Sequence, residues 1–328
     1  MKSFKKRGTP VMTEPLFFEP VFKERIWGGT ALASFGYEIP SEQTGECWAF
    51  AAHQNGQSVV KNGLYKGLTL SELWNEHRHL FGHIKGDRFP LLTKILDADQ
   101  DLSVQVHPND EYAKLHENGE LGKTECWYII DCKEDAEIIY GHHAKTREEL
   151  VSMIEHGKWN ELLRRVKVKP GDFFYVPSGT VHAIGKGILI LETQQNSDTT
   201  YRLYDYDRKD AEGNLRELHL QKSIDVIAVP SSPDRETVQY ETSGDVKTAV
   251  LIECPYFSVK KWDVKGSACF KQDKPFLLVS AIEGEGRIAA GGHDFSFKKG
   301  DHMLLPAGFG EFTLSGHAEC IVSSLSIE

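Results

Sequence analysis

No run of about 18 apolar residues occurs anywhere in the 328-residue chain, which excludes a transmembrane helix. The first eleven residues, MKSFKKRGTPV, lack the apolar stretch that a secretory signal requires. Residues 1–12 therefore read as a flexible extension, with the fold expected to begin near Thr13. No CxxC pair occurs among Cys47, Cys126, Cys132, Cys254, Cys269 and Cys320. A chain of this length can bury a core without disulfides, so buried free thiols in a reducing cytoplasm are expected. Basic charge is also in deficit. A net charge of −10 argues against nucleic acid, and an anionic small molecule would need a local basic pocket to overcome the global field. Nothing implies a membrane or an obligatory protein partner.

What is present is a mixture of short helical patterns and many strand-like runs. Thr69 to Phe81 carries Leu70, Leu73, Trp74, His77 and Phe81 at spacings of three or four, which predicts a helix capped by Thr69 or Ser71. Thr146 to Val166 predicts two short helices broken at Gly157, and Leu218 to Ile227 a further one. The remainder up to Tyr140 reads mostly as strands. His142 and His143 read as loop residues, and Pro230 to Asp234 as a linker.

An internal repeat organises the chain. KPGDFFYVPSGTVH (Lys169–His182) and KKGDHMLLPAGFGE (Lys298–Glu311) share Gly-Asp-x4-Pro-x-Gly-x2 at a constant offset of 129. Upstream, DCKEDAEIIYG and AIEGEGRIAAG both read as strand, acidic turn, strand. The first copy is longer by the Thr146–Val166 helices, which reads as a helical insertion. Gly171-x5-Pro177-x-Gly179-x2-His182 resembles the second motif of cupin barrels. That resemblance implies a mainly β protein of two cupin-type jelly-roll barrels. The expected division is a catalytic barrel with helical insertions over 13–230 and a second, metal-free barrel over 231–328, in which Glu311 stands where the first has His182.

A candidate metal site follows from strand geometry. In Ser103-Val-Gln-Val-His107, alternation puts Ser103, Gln105 and His107 on one face, with Val104 and Val106 on the other. Polar residues facing a barrel interior need a reason to be there, and a cation supplies one. Glu125 opens the next apolar run, and His182 comes from the repeat turn. Two imidazoles, a carboxylate and an amide oxygen suit zinc, although manganese, iron or cobalt could take the same set.

Further segments carry a closer resemblance: Arg25-Ile-Trp-Gly-Gly29, Gly45-Glu-Cys-Trp48, Pro90-Leu-Leu-Thr-Lys-Ile-Leu96, Leu102-Ser-Val-Gln-Val-His-Pro108, Gly122-Lys-Thr-Glu-Cys-Trp127, Pro177-Ser-Gly-Thr-Val-His-Ala183, and Glu192-Thr-Gln-Gln-Asn-Ser-Asp198 leading to Tyr201-Arg-Leu203. In number and order they resemble the type I mannose-6-phosphate isomerases in their short bacterial form. The resemblance implies a zinc-dependent aldose–ketose isomerase interconverting mannose 6-phosphate and fructose 6-phosphate, with one zinc per chain on Gln105, His107, Glu125 and His182. It implies Arg202 as the active-site arginine, and Lys94, Ser103 and Lys123 as residues near the substrate.

Such a reaction moves a proton between C2 and C1 through an enediolate. Arg202 can stabilise the developing charge but is a poor base, because guanidinium holds its proton. Glu192 is the first candidate base, with a hydroxide on the metal as the rival and a role in merely orienting Arg202 as a third reading. Lys123 lies two residues before Glu125 and is placed with the catalytic group. Asp198 could orient Arg202, bind sugar hydroxyls or cap a loop. Arg208 stands where fungal relatives carry lysine, and reads equally as one charge in the turn DYDRKD. Trp27, Trp48 and Trp127 could line a sugar site, with core packing the stronger reading. An iron-dependent cupin oxygenase and a non-catalytic sugar-phosphate sensor are the competing classes.

Overall fold

The computed structural model describes residues 14–209, 213–231 and 238–326. Residues 1–12 and most of the linker Pro230–Asp234 lie outside them. The chain is mostly β, in three large sheets. A six-stranded sheet runs in the order Phe173–Val176, Glu125–Cys132, Ile188–Gln195, Leu91–Ala98, Thr44–Phe50, Val21–Gly29. A five-stranded sheet runs Leu163–Lys167, Glu137–His142, His182–Ala183, Val104–Val106, Tyr201–Tyr204. A nine-stranded sheet holds the C-terminal strands, dominated by Ser258–Gln272, Leu277–Ala290 and Gly310–Ser324.

The layers follow from strand alternation. Ile188 and Ile190 join Leu96, Trp127, Ile129 and Phe174 in a core that the six-stranded sheet shares with Ile138 and Tyr140 of the five-stranded one. The alternate residues Leu189, Leu191, Ile95, Cys126 and Tyr128 face the other way, into a core shared with the C-terminal sheet. The six-stranded sheet is thus covered on both faces, which is why Leu91–Ala98 and Ile188–Gln195 are buried throughout. On the far side of the five-stranded sheet, Val104, Val106, Ala183 and Leu203 pack under Leu150, Ile154, Leu162 and Ile227 of the helical layer.

The repeat is visible as geometry. Lys169 N donates to Asp172 Oδ2 at 3.0 Å, and Lys298 N to Asp301 Oδ2 at 2.9 Å. Gly171 and Gly300 take φ of 90° and 89°, which a side chain would strain. The strands that follow, Phe173–Val176 and His302–Leu305, correspond position for position. The upstream pair diverges, however. Asp131–Gly141 is strand, turn and strand as expected, but Ala281–Gly291 contains no acidic turn: its residues to Ala290 belong to the single strand Leu277–Ala290. A register shift between Ala281 and Glu283, with Gly284 at φ 73°, absorbs the sequence that reads as a turn.

Other expectations are adjusted. The helix from Leu70 ends at Glu76, followed by a 3-10 turn over Arg78–Phe81. The second helix of the insertion stops at Leu162, because Leu163–Lys167 pairs with Glu137–His142 as a strand. Asp110–His116 is a helix in a stretch expected to be strands, capped by Asn109, whose side chain accepts from Tyr112 N. His142 is not a loop residue: it ends a strand, buried, with Nε2 against the Ala228 carbonyl at 2.9 Å.

Candidate active site

Polar residues replace apolar ones at one end of the interior between the two smaller sheets. Along three neighbouring strands the inward positions read Ile188–Ile190–Glu192, Ala98–Leu96–Lys94 and Ile129–Trp127–Glu125. Strand register sets Trp127, Glu192, Lys94 and Trp48 in one row across the six-stranded sheet. Opposite them, the five-stranded sheet aligns His182, Gln105 and Arg202. A few substitutions in an apolar alternation thus build a charged site whose walls are held by sheet pairing.

His107, Glu125 and His182 converge so that their ligand atoms all lie within 4.8 Å of one another. The Nε2 atoms of His107 and His182 each stand 3.4 Å from a Glu125 oxygen. Both Nδ1 atoms meet backbone carbonyls, His107 at Thr199 (2.9 Å) and His182 at Thr180 (2.8 Å). A carbonyl can only accept, so Nδ1 carries the proton and the Nε2 lone pairs face each other's neighbourhood. That arrangement orients imidazoles as metal ligands. Burial and the Lys123 charge press His107 down to about 3, so it is neutral and able to coordinate. Gln105 lies beside this cluster, its side-chain amide nitrogen donating to His182 Nε2 at 3.3 Å. His107 Nε2 is buried without a hydrogen-bond partner. Leaving such an atom unmet costs about 1–3 kcal/mol. A divalent cation removes that cost and answers the Glu125 carboxylate beside it, so these residues fit one.

Lys123 Nζ lies 3.1 Å from Glu125 Oε2. Burial opposes its charge, but Glu125, Glu192 and Asp198 outweigh burial and hold the ammonium above its ordinary value. Glu125 is likewise held well below the carboxylate range by Lys123 and the histidines, against burial. Glu192 goes the other way: burial, reinforced by the Glu125 charge, lifts it to about 7. Trp127 Nε1 donates to both carboxylates, at 3.0 Å to Glu125 and 3.1 Å to Glu192. The second Glu192 oxygen, Oε1, has no hydrogen-bond partner and sits 3.8 Å from Lys94 Nζ.

These groups open onto a cavity of about 270 Å³ lined by Lys94, Ser103, Gln105, Lys123, Glu192, Asp198 and Arg202. All six residues expected for catalysis or substrate binding therefore reach one space beside Gln105. A larger hollow of about 640 Å³ on the C-terminal sheet, between Cys269–Lys271, Ala289–Asp294 and Glu311–Thr313, has no comparable convergence of buried charge. Arg208 is not at the cavity; its guanidinium is spent on Asp205 Oδ1 (2.5 Å) and the Asp101 carbonyl. Asp198 accepts from Asn55 Nδ2 at 2.9 Å rather than holding Arg202.

Sequence reasoning passed over Arg25, Glu46 and Arg216, which also line the cavity. Glu46 takes Arg25 Nε at 3.0 Å and the Trp48 indole N–H. Trp48 in turn lies under Lys94 Nζ, 4.9 Å from its ring centre. Arg25 and Glu46 do fall in the quoted segments Arg25–Gly29 and Gly45–Trp48, and their opposite charges were the available signal. The three tryptophans divide: Trp27 lines the cavity, while Trp48 and Trp127 are buried supports for its charged groups.

The sequence matches two family models. One, for the catalytic domain of phosphomannose isomerase type I, covers residues 16–130, and the other, for the cupin domain of mannose-6-phosphate isomerase, covers residues 247–325. Mannose-6-phosphate isomerase ManA of Bacillus subtilis is 79% identical across 95% of this chain and 99% of its own. Mannose-6-phosphate isomerase of Streptococcus mutans is 56% identical over 95% of this chain and 98% of its own. A crystal structure of mannose 6-phosphate isomerase from Bacillus subtilis superposes with a TM-score of 0.93 at 57% identity, over 94% of this chain and 99% of that one.

Proposed function

The chain belongs to the type I mannose-6-phosphate isomerase family, and on that premise we propose that it interconverts mannose 6-phosphate and fructose 6-phosphate by proton transfer between C2 and C1 through an enediolate, with one zinc ion per chain. The observation that carries this reading is a single cavity in which a buried carboxylate near neutral pKa, Glu192, faces fixed cations beside a metal-ligand cluster.

Gln105, His107, Glu125 and His182 would hold the zinc. When bound, it would act as a Lewis acid on substrate oxygens. The chain's own residues supply the rest. Glu192 has one oxygen held by Trp127 and the other unbonded, so it can accept a proton without losing its orientation. Burial raises this carboxyl above its ordinary range, the direction that suits a group both taking and returning that proton. Arg202, with Nε buried and unpaired, and Lys123 can offset negative charge as it develops. Ser103, Lys94 and Asp198 offer donors and an acceptor for the substrate's hydroxyl and phosphate oxygens.

The division near residue 230, into a catalytic part and a second cupin part, belongs to the same proposal, as does a cytoplasmic location. The two family-model matches fall on either side of that division. Among the described residues no helix is long and apolar enough to cross a membrane. The test is a coupled assay across sugar phosphates with metal content measured in parallel. Chelation is expected to abolish turnover of mannose 6-phosphate, and added zinc to restore it. Full activity in a protein shown to be metal-free would sink the zinc reading, and incorporation of solvent deuterium at C2 checks the enediolate.

A further inference from the structure

We infer that Arg216, fixed by Asp205, is the residue that binds the substrate's phosphate dianion, and that Arg208 serves as an anchor for Asp205 rather than as a phosphate ligand. The inference deepens the proposed isomerase reading and rests on it for the identity of the substrate.

The charges of the cavity are unevenly distributed. At one side each cation faces its own carboxylate, Arg25 with Glu46, Lys94 with Glu192 and Lys123 with Glu125, and Asp198 adds a further negative group. At the other side stand Arg202 and Arg216. Arg202 has no carboxylate partner among its hydrogen bonds: Nη1 donates to the Glu217 carbonyl at 2.8 Å, and Nε is buried and unbonded. Arg216 donates from Nε to Asp205 Oδ2 at 2.7 Å and from Nη2 to Asp205 Oδ1 at 2.5 Å. Asp205 is buried and also takes Arg208 Nη2 at 2.5 Å. Among the described residues, Asp205 thus bonds two of these three guanidiniums, and Arg202 has no carboxylate hydrogen-bonded to it. In a chain of net charge −10, a local surplus of this kind is what a dianion needs in order to enter.

Register sets the direction. Arg202 pairs with Gln105, and Tyr204 with Val104, so following this pair of strands away from His107 leads to Ser103 on one side and Asp205 on the other. Ser103 precedes Gln105 by two residues, at most about 7 Å of extended chain. C1 and the 6-phosphate occupy opposite ends of a six-carbon chain. With the reacting carbons beside Gln105, the phosphate falls toward Ser103 and Arg216. The bidentate grip of Asp205, through Nε and Nη2, fixes the Arg216 guanidinium at the cavity wall, where it can meet an oxyanion.

The experiment uses the metal-loaded protein with inorganic phosphate as probe, read by calorimetry, alongside KM and kcat for mannose 6-phosphate. Arg216→Ala is expected to weaken phosphate binding and raise KM by about ten- to a hundred-fold, with bound metal unchanged and kcat altered much less. Arg216→Lys, which keeps the charge and guards against misfolding, is expected to recover part of the loss. Arg208→Ala is expected to weaken phosphate binding less than Arg216→Ala does. Unchanged phosphate binding in Arg216→Ala, or a larger loss in Arg208→Ala, overturns the inference. Calorimetry reads phosphate without turnover. A wild-type protein that binds phosphate through Arg216 yet fails to isomerise would therefore refute the proposed function and leave this inference standing.

Discussion

At the scale of single residues, the site works by pushing two carboxylates apart. Glu125 and Glu192 share the indole N–H of Trp127, yet one is held ionised by Lys123 and the other is lifted to about 7 by burial and by Glu125 itself. A carboxyl whose pKa is higher folded than unfolded contributes stability below its ordinary range and loses it as pH rises through the folded value. In metal-free protein, Glu192 is therefore expected to cost stability between about pH 5 and about pH 8, by at most about 3 kcal/mol. Urea unfolding midpoints at those two values should converge in Glu192→Gln relative to wild type, and an unchanged difference would mean that Glu192 is not the group responsible. The inward set Ser103, Gln105 and His107 was legible in the sequence because alternation makes a polar residue on an apolar strand conspicuous. Arg216 was not, since a charge in a polar stretch reads as solvated until the fold brings Asp205 to it.

At the scale of elements, the same alternation explains why strands were easier to place than short helices. Leu70–Glu76 announced itself through Leu70, Leu73 and Trp74, and Thr69 with Glu72 forms its capping box. Thr69→Ala is expected to lower stability by about 1 kcal/mol in chemical denaturation and to leave kcat unchanged, because the helix packs with Phe81 and Phe89 and does not line the cavity. A loss of activity without a loss of stability would count against that separation. Asp110–His116 was harder to see: it buries only Ala113 and so shows no apolar stripe, although Asn109 as cap with the acidic Asp110 and Glu111 in the first turn is a start typical of a helix. The turn expected within Ala281–Gly291 failed for the opposite reason. Acidic and glycine residues that suit a turn also suit a bulge, and only long-range pairing with Gly310–Ser324 decides between them.

At the scale of the whole molecule, the halves are interleaved. Leu16–Glu19, from the N-terminal side, joins the C-terminal sheet by pairing with His302–Leu305. Phe276 packs against both Phe81 and Phe89. Tyr37 hydrogen-bonds to His302 Nε2 at 2.7 Å, and His302 in turn to Ser280 Oγ at 2.9 Å. Two units divided at residue 230 would each lack strands or packing supplied by the other. Thermal unfolding followed by tryptophan fluorescence and by far-ultraviolet circular dichroism is expected to give one coincident transition, and two well-separated transitions would show that the halves are independent. The repeated Gly-Asp turn and the strand after it were legible because they recur intact. The interleaving was not, since no local pattern says which distant strand will accept Leu16–Glu19.

That N-terminal strand has a consequence for how the protein is made. The ribosome makes Leu16–Phe18 well before their partners His302–Leu304. At about 5–20 residues per second, the wait is roughly 15–60 s. Throughout it, Leu16 and Phe18, both fully buried in the finished fold, have no sheet partner on one side. Emergence of His302–Leu305 is therefore the event that completes this pairing, and the earlier segment must be kept from pairing elsewhere until it comes.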